Sequence, residues 1–169
     1  LIHGYKEIIK RRNKKPDMVV ILMCNVATIN NNLIDEAVDA LINDDLADSA
    51  VSVSILNMYS PLRARKLAQD GYLYPFVPFE TFGDPATLSC DRDSQGDVFF
   101  ADMSHSVSRS RALDNIENGL LPQRWMGGKI IPVYNTYGCD IDLPWQAKAT
   151  EWWLENNGFT IQTTPYDLS

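Results

Sequence analysis

From Leu1 to Arg12 the apolar residues fall at Leu1, Ile2, Tyr5, Ile8 and Ile9, the spacing of one helical face. Lys10, Arg11 and Arg12 then place positive charge where a helix presents its unpaired carbonyls. Asn13 to Pro16 ends that helix. Met18-Val19-Val20-Ile21-Leu22-Met23 is a continuous apolar run after a turn, which predicts a strand buried on both faces, as in a parallel sheet. Leu33, Ile34, Ala37, Val38, Leu41 and Ile42 define a second helical face, and after an Asp-rich break Ala50 to Ser54 reads as the next strand. This helix-strand-helix-strand order predicts an α/β fold with a mostly parallel sheet and right-handed crossovers.

Pro61 to Gln69 has the pattern of a further helix. From Gly71 to Asp97 periodicity gives way to prolines, glycines, aromatics and acids, over a length that ordinary loops in compact domains do not reach. Val98 to Ala101 reads as a strand, Val107 to Ile116 as a helix, and Lys129 to Tyr134 as a strand whose Pro132 suits a sheet edge. Trp145 to Leu154 reads as the last helix, stopped by Asn156-Asn157-Gly158, with Phe159 to Ile161 as a short final strand. The expectation is one domain over 1–169, with 71–128 as an inserted arm that carries dimer contacts and faces a ligand.

Composition narrows the setting. A chain of 169 residues, 45% hydrophobic, can bury the core of one domain, and no apolar run approaches the roughly 20 residues that cross a bilayer. Cys24, Cys90 and Cys139 form no CxxC pair and leave an odd thiol, which points to free cysteines and a cytoplasmic location. A formal net charge of -7 disfavours nucleic acid and anionic membranes as partners, so an anionic substrate needs a local basic cluster.

Asp140-Ile141-Asp142 carries the candidate chemistry. In an extended segment, side chains at i and i+2 share one side, so both carboxylates can face one Mg²⁺ that also holds a nucleotide's phosphates. The structural alternative is that Asp142 caps the helix whose first turn holds Pro144. The turn Met23 to Thr28 follows the first predicted strand, where open α/β sheets bind ligands, and Asn25 is its best candidate. His105 has no recognisable partner by spacing and reads as structural. Of the adjacent Trp152 and Trp153, one can face the core squarely.

Four segments resemble the acylneuraminate cytidylyltransferases, the family of CMP-sialic acid synthetases and related enzymes that activate acidic keto-sugars. They are Leu1-Ile2-His3-Gly4; Asp17 to Leu22; Asp48 to Ser54 followed by Tyr59-Ser60-Pro61-Leu62-Arg63; and Cys139-Asp140-Ile141-Asp142-Leu143-Pro144. The resemblance implies a Rossmann-like sheet of the nucleotide-diphospho-sugar transferase (GT-A) type. It implies that CTP and an α-keto acid sugar give a CMP-sugar and pyrophosphate, with Mg²⁺ as cofactor and a homodimer as the working form.

By that resemblance Asp140 and Asp142 are the metal-binding and catalytic pair, and Arg63 faces the sugar or phosphates. Gln95, Gly96 and Phe99 match an Asn-Gly-x-Ile-Tyr segment beside the sugar, and Gln123 and Arg124 fall near the pocket for an N-acyl group. Arg109 or Arg111 is the basic residue that would reach a neighbour's sugar site. Two departures stand out. A Gln-Pro-Thr-Ser-Pro-Leu-Arg run is replaced here, with Met23 and Ile29 at its Gln and Arg positions, and the family's glycine-containing basic loop has no counterpart. The chain is therefore expected to be the C-terminal two thirds of such a domain, with a non-catalytic binding or assembly module on the same fold as the alternative.

Overall fold

A computed structural model describes residues 1–92 and 95–164. The chain forms two compact units, Leu1–Val53 together with the chain from Ala101 onward, and Ser54–Phe100. The second of these differs from the expected arm of 71–128: it begins earlier, and 101–128 belongs to the larger unit.

In the larger unit α1 (Ile2–Arg12) buries only Tyr5, whose hydroxyl donates to Asp114 Oδ1 at 3.0 Å. Its basic last turn offsets the negative helix end, and Asn13 closes it in the left-handed conformation at φ 47°. β1 (Met18–Ile21) leads to α2 (Asn31–Asn43), whose first turn is capped by Asn30 Oδ1 accepting from the Asn32 N–H at 2.9 Å. The face predicted for α2 delivers Ala37 and Leu41, both at 0% exposure, to the core. There they pack with Ala47, Ala50, Val107 and Val133.

The four-stranded sheet has the order β1-β5-β2-β6, with β2 spanning Ser49–Ile55, β5 Phe99–Arg109 and β6 Ile130–Tyr134. β1 and β5 pair antiparallel, Met18 opposite Arg109, whereas β2 and β6 pair parallel, Ser49 opposite Ile130. The fold is α/β, but the sheet is mixed and mostly antiparallel with one parallel pair, which corrects the mostly parallel expectation. The cause is β5. Residues Val107–Arg109, expected in a helix, continue a strand between β1 and β2, so two strands joined through α2 are not neighbours. Ser104, Ser106 and Ser108 have little intrinsic strand preference, yet all are buried, and burial between two strands decides their conformation. β1 is correspondingly an edge strand, with Val20 43% exposed, rather than one buried on both faces. Pro132 lies, as expected, on the edge strand β6.

A polar latch joins the α2–β2 connection to the strand ends. Asp48 Oδ2 accepts from the N–H groups of Gly128 at 2.9 Å and Lys129 at 3.1 Å, and Arg111 Nε donates to Asp48 Oδ1 at 3.0 Å. Arg109 and Arg111 also donate to the carbonyls of Ala47, Leu41 and Asp45. Both guanidiniums thus hold their own chain together. α3 (Ser110–Asp114) follows β5 directly.

Helix α4 (Pro144–Asn156) is the predicted last helix. Trp153 stacks on Tyr137 with ring centroids 5.8 Å apart, while Trp152 is 65% exposed, so one of the adjacent tryptophans turns inward as expected. Phe159 to Ile161 does not form a strand.

In the smaller unit the expected helix at Pro61–Gln69 is instead a 3₁₀ turn, Pro61–Arg63, followed by β3 (Arg65–Leu67), which pairs antiparallel with β4 (Leu73–Pro75). Proline supplies the first-turn φ of the short 3₁₀ segment, and Ser60 Oγ accepts from the Leu62 N–H at 3.3 Å. The hairpin leaves Leu67, Tyr72, Leu73 and Phe76 each more than 60% exposed. Among the described residues no helix is long and apolar enough to cross a membrane.

Candidate functional site

The loop after β1 and the acidic triplet are zipped together. Val26 and Asp140 form an isolated antiparallel bridge, the Ile141 N–H donates to the Asn25 carbonyl at 2.9 Å, and Asn25 Nδ2 donates to Asp142 Oδ1 at 3.3 Å. Three residues singled out from sequence, Asn25, Asp140 and Asp142, therefore meet in one place. Val26 is buried and anchors the loop; Asp140 is half-buried and Asp142 exposed. The site has the solvent access a phosphate-bearing ligand needs.

The alternative role of Asp142 as helix cap is not the one its side chain plays. Leu143 is the N-cap residue of α4 and Pro144 opens its first turn. Gln146 Oε1 accepts from the N–H groups of both Asp142 at 2.9 Å and Leu143 at 2.6 Å. This is the returning half of a capping box, and it leaves the Asp142 carboxylate to Asn25. Two carboxylates and a carboxamide are hard oxygen donors of the type Mg²⁺ takes, commonly one or two carboxylates with water and substrate phosphate completing the shell. Among the described residues no group of three or more His, Cys, Asp and Glu converges on a metal position. A metal here would rest on the pair and its ligand.

The segment that leads into the triplet is fixed by a buried polar cluster that sequence reasoning did not find. Asp102, 6% exposed, lies in β5 just before Met103, whose φ of 64° is left-handed. Asp102 Oδ1 accepts from the Ser104 N–H at 3.1 Å, and Ser104 Oγ lies 3.2 Å from His105 Nδ1. Asn135 Nδ2 donates to Ser104 Oγ at 3.4 Å and to the Tyr137 carbonyl at 3.3 Å. The one available sequence cue was an Asp two residues before a Ser within an apolar run, the spacing of an Asx turn.

His105 is fully buried at 1% exposure rather than at the surface, with Nδ1 against Ser104 Oγ. Burial pushes its pKa below the ordinary 6.5, against the smaller upward pull of Asp102, the Leu33 backbone and Glu36. A histidine with a depressed folded-state pKa contributes stability that is present above its unfolded value and lost as pH falls through the folded one. The urea midpoint of the chain is therefore expected to decline as pH drops below about 6.5. His105→Gln should remove that part of the decline below about pH 6.5, and identical slopes for the two proteins would assign the effect elsewhere.

Gln123 and Arg124 also lie in the larger unit. Arg124 Nη1 pairs with Glu117 Oε2 at 2.5 Å, and the Gln123 carbonyl accepts from the Met126 N–H at 3.0 Å.

The remaining predicted residues lie in the smaller unit. Arg63 Nη2 donates to the Cys90 carbonyl at 2.7 Å and lines a cavity of about 510 Å³ with Leu62, Arg65, Phe79, Pro85, Leu88, Ser89 and Cys90. Arg65 stacks its guanidinium 5.3 Å from the Phe79 ring centroid, a cation–π arrangement. Gly96 adopts φ 76°, Gln95 is half-buried and Phe99 is 47% exposed at the start of β5. The cavity combines apolar walls with two guanidiniums, a lining suited to an amphiphilic anion.

No protein-family model matches the chain, and a search of curated proteins returned no match.

Proposed function

We propose that this chain is the acid-pair-bearing part of a Mg²⁺-dependent cytidylyltransferase that activates an acidic keto-sugar, on a Rossmann-like GT-A type fold. The observation that carries this reading is the meeting of Asn25 with Asp140 and Asp142 at the end of β1. The loop after β1 is bonded through its backbone to Asp140 and Ile141 and through Asn25 to the Asp142 carboxylate, so hard oxygen donors gather at a partly exposed place of the kind a metal-bound phosphate uses.

In the proposed reaction a sugar hydroxyl attacks the α-phosphorus of CTP and gives up its proton to solvent water. The new O–P bond forms as the bond from α-phosphorus to the bridging oxygen breaks, and pyrophosphate leaves with the electron pair. Asp140 and Asp142 would hold Mg²⁺, which when bound supplies charge neutralisation for the phosphates. Asn25 orients the Asp142 carboxylate through its amide. Within the smaller unit Arg63, one end of whose guanidinium is held by the Cys90 carbonyl, is proposed to take an anionic group in the cavity it lines. Gln123 and Arg124, in the larger unit, are assigned to the sugar's substituent. Three free cysteines support a cytoplasmic setting.

A non-catalytic assembly module is the second reading, favoured by the exposed Leu67, Tyr72, Leu73 and Phe76 of the hairpin, which also suit the homodimer proposed here. Isothermal titration of the chain with CTP, with and without Mg²⁺, separates the two. Binding that requires Mg²⁺ is expected. A folded chain that ignores CTP, or binds it equally without metal, would favour the module.

A further inference from the structure

We infer that Asp102 is the positioning residue for the acidic triplet, acting through Gly138; its consequence for ligand binding rests on the nucleotide reading above. Four observations converge. Asp102 is a carboxylate 6% exposed inside a strand, an expensive placement unless its geometry is used. The next residue, Met103, holds a left-handed φ of 64°, a conformation that side-chain-bearing residues keep only where the surroundings enforce it. The Ser104 N–H donates to Asp102 Oδ1 across that bend, so the carboxylate is fixed in direction. Gly138, two residues before Asp140, lies so close to it that a Cβ there would be 2.5 Å from Asp102 Oδ1 and 2.6 Å from its Cβ.

Gly138 is thus a glycine by close approach, since its φ lies outside the left-handed range. The bend at Met103 turns Asp102 against the backbone at 138. Asn135, bonded to Ser104 Oγ and to the Tyr137 carbonyl, ties down the start of the same segment. Beyond Gly138 the chain has two residues in which to reach the Val26 bridge at Asp140. Any displacement at 138 therefore passes into the register of Asp140 and Asp142 against Asn25. Asp102 touches neither metal nor nucleotide in this arrangement; it sets where the groups that would do so are held.

The test uses the whole chain and two readouts. Amide hydrogen exchange at Ile141, whose N–H bonds to the Asn25 carbonyl, reports the zipper directly, with the core residue Val107 as control. Mg²⁺·CTP titration reports the ligand. Gly138→Ala and Asp102→Ala are each expected to speed exchange at Ile141 by at least about tenfold with Val107 unchanged, and to weaken Mg²⁺·CTP binding by about tenfold. Because the methyl of Gly138→Ala overlaps the Asp102 side chain itself, truncating that side chain relieves part of the clash, and the double variant should be no worse than the worse single rather than the product of the two. Unchanged Ile141 exchange in both singles, or multiplicative effects in the double, would overturn the assignment. Faster Ile141 exchange in a chain whose wild type binds no Mg²⁺·CTP would uphold the positioning role and sink the nucleotide reading instead.

Discussion

Gly127→Ala is expected to destabilise the larger unit by about 3 kcal/mol. Two terms combine. Gly127 has φ 74° with ψ −150°, a region essentially reserved for glycine, where a side chain costs on the order of 1–3 kcal/mol. The new Cβ would also lie 2.9 Å from both Asp48 Cγ and Oδ2, so the Asp48 side chain must move. Moving it strains its bonds to the Gly128 and Lys129 N–H groups and to Arg111, the latch that closes the α2–β2 connection. Losing even one such charge-assisted bond costs about 1.5–3 kcal/mol. The adjacent Gly128→Ala is the control, because its Cβ would meet Asp48 Oδ2 only at 3.8 Å, an ordinary contact. Urea unfolding should therefore show a large shift for position 127 and one below about 1 kcal/mol for 128. Equal shifts would mean that the latch does not limit stability.

The same latch makes the prediction depend on pH. Burial alone would raise the Asp48 carboxyl, but the two backbone N–H donors and Arg111 outweigh it and hold its pKa below the ordinary value. A depressed carboxylate contributes stability that is present above the unfolded pKa and lost as pH falls through the folded one. The difference between wild type and Gly127→Ala should consequently shrink in the acid range, below about pH 4, where Asp48 protonates in both proteins.

What could be read from the sequence, and what could not, follows from how local each feature is. The faces of α1 and α2, the strand cores of β1, β2 and β6, and the edge position of Pro132 are carried by residues a few positions apart, and the pattern located them. β5 escaped because Ser104-His105-Ser106-Val107-Ser108 offers no apolar face of either period; only its neighbours on both sides make it a strand. The parallel expectation failed with it, since inserting that one strand separates β1 from β2. At the candidate site, the triplet and Asn25 stand out in sequence as short segments, and the structure brings them together. Asp102 and Gly138 were not, because their meaning lies in a contact between distant segments and in the φ of Met103. Asp48 and Arg111 were hidden for the same reason: each reads as a solvated charge until the fold brings them within 3.0 Å.

Asp140→Asn and Asp142→Asn are expected to separate binding from stability more sharply than any other change. Under the nucleotide reading each removes one negative charge from a two-carboxylate metal position. A loss on the order of 100-fold in Mg²⁺-dependent CTP affinity follows, equivalent to about 2.8 kcal/mol, with the double variant showing no metal dependence. Neither substitution should disturb the fold. Asp140 is held by its backbone bridge to Val26, which asparagine keeps, and the cap of α4 comes from Gln146 rather than Asp142. The unfolding midpoint should thus stay within about 0.5 kcal/mol of wild type. Gln146→Ala supplies the converse case, since it removes the acceptor for two N–H groups at the start of α4. It should cost about 1 kcal/mol of stability while leaving the metal dependence of CTP binding in place. If instead Asp142→Asn lowers stability as much as Gln146→Ala and changes no metal dependence, the triplet is a structural element and the assembly reading gains.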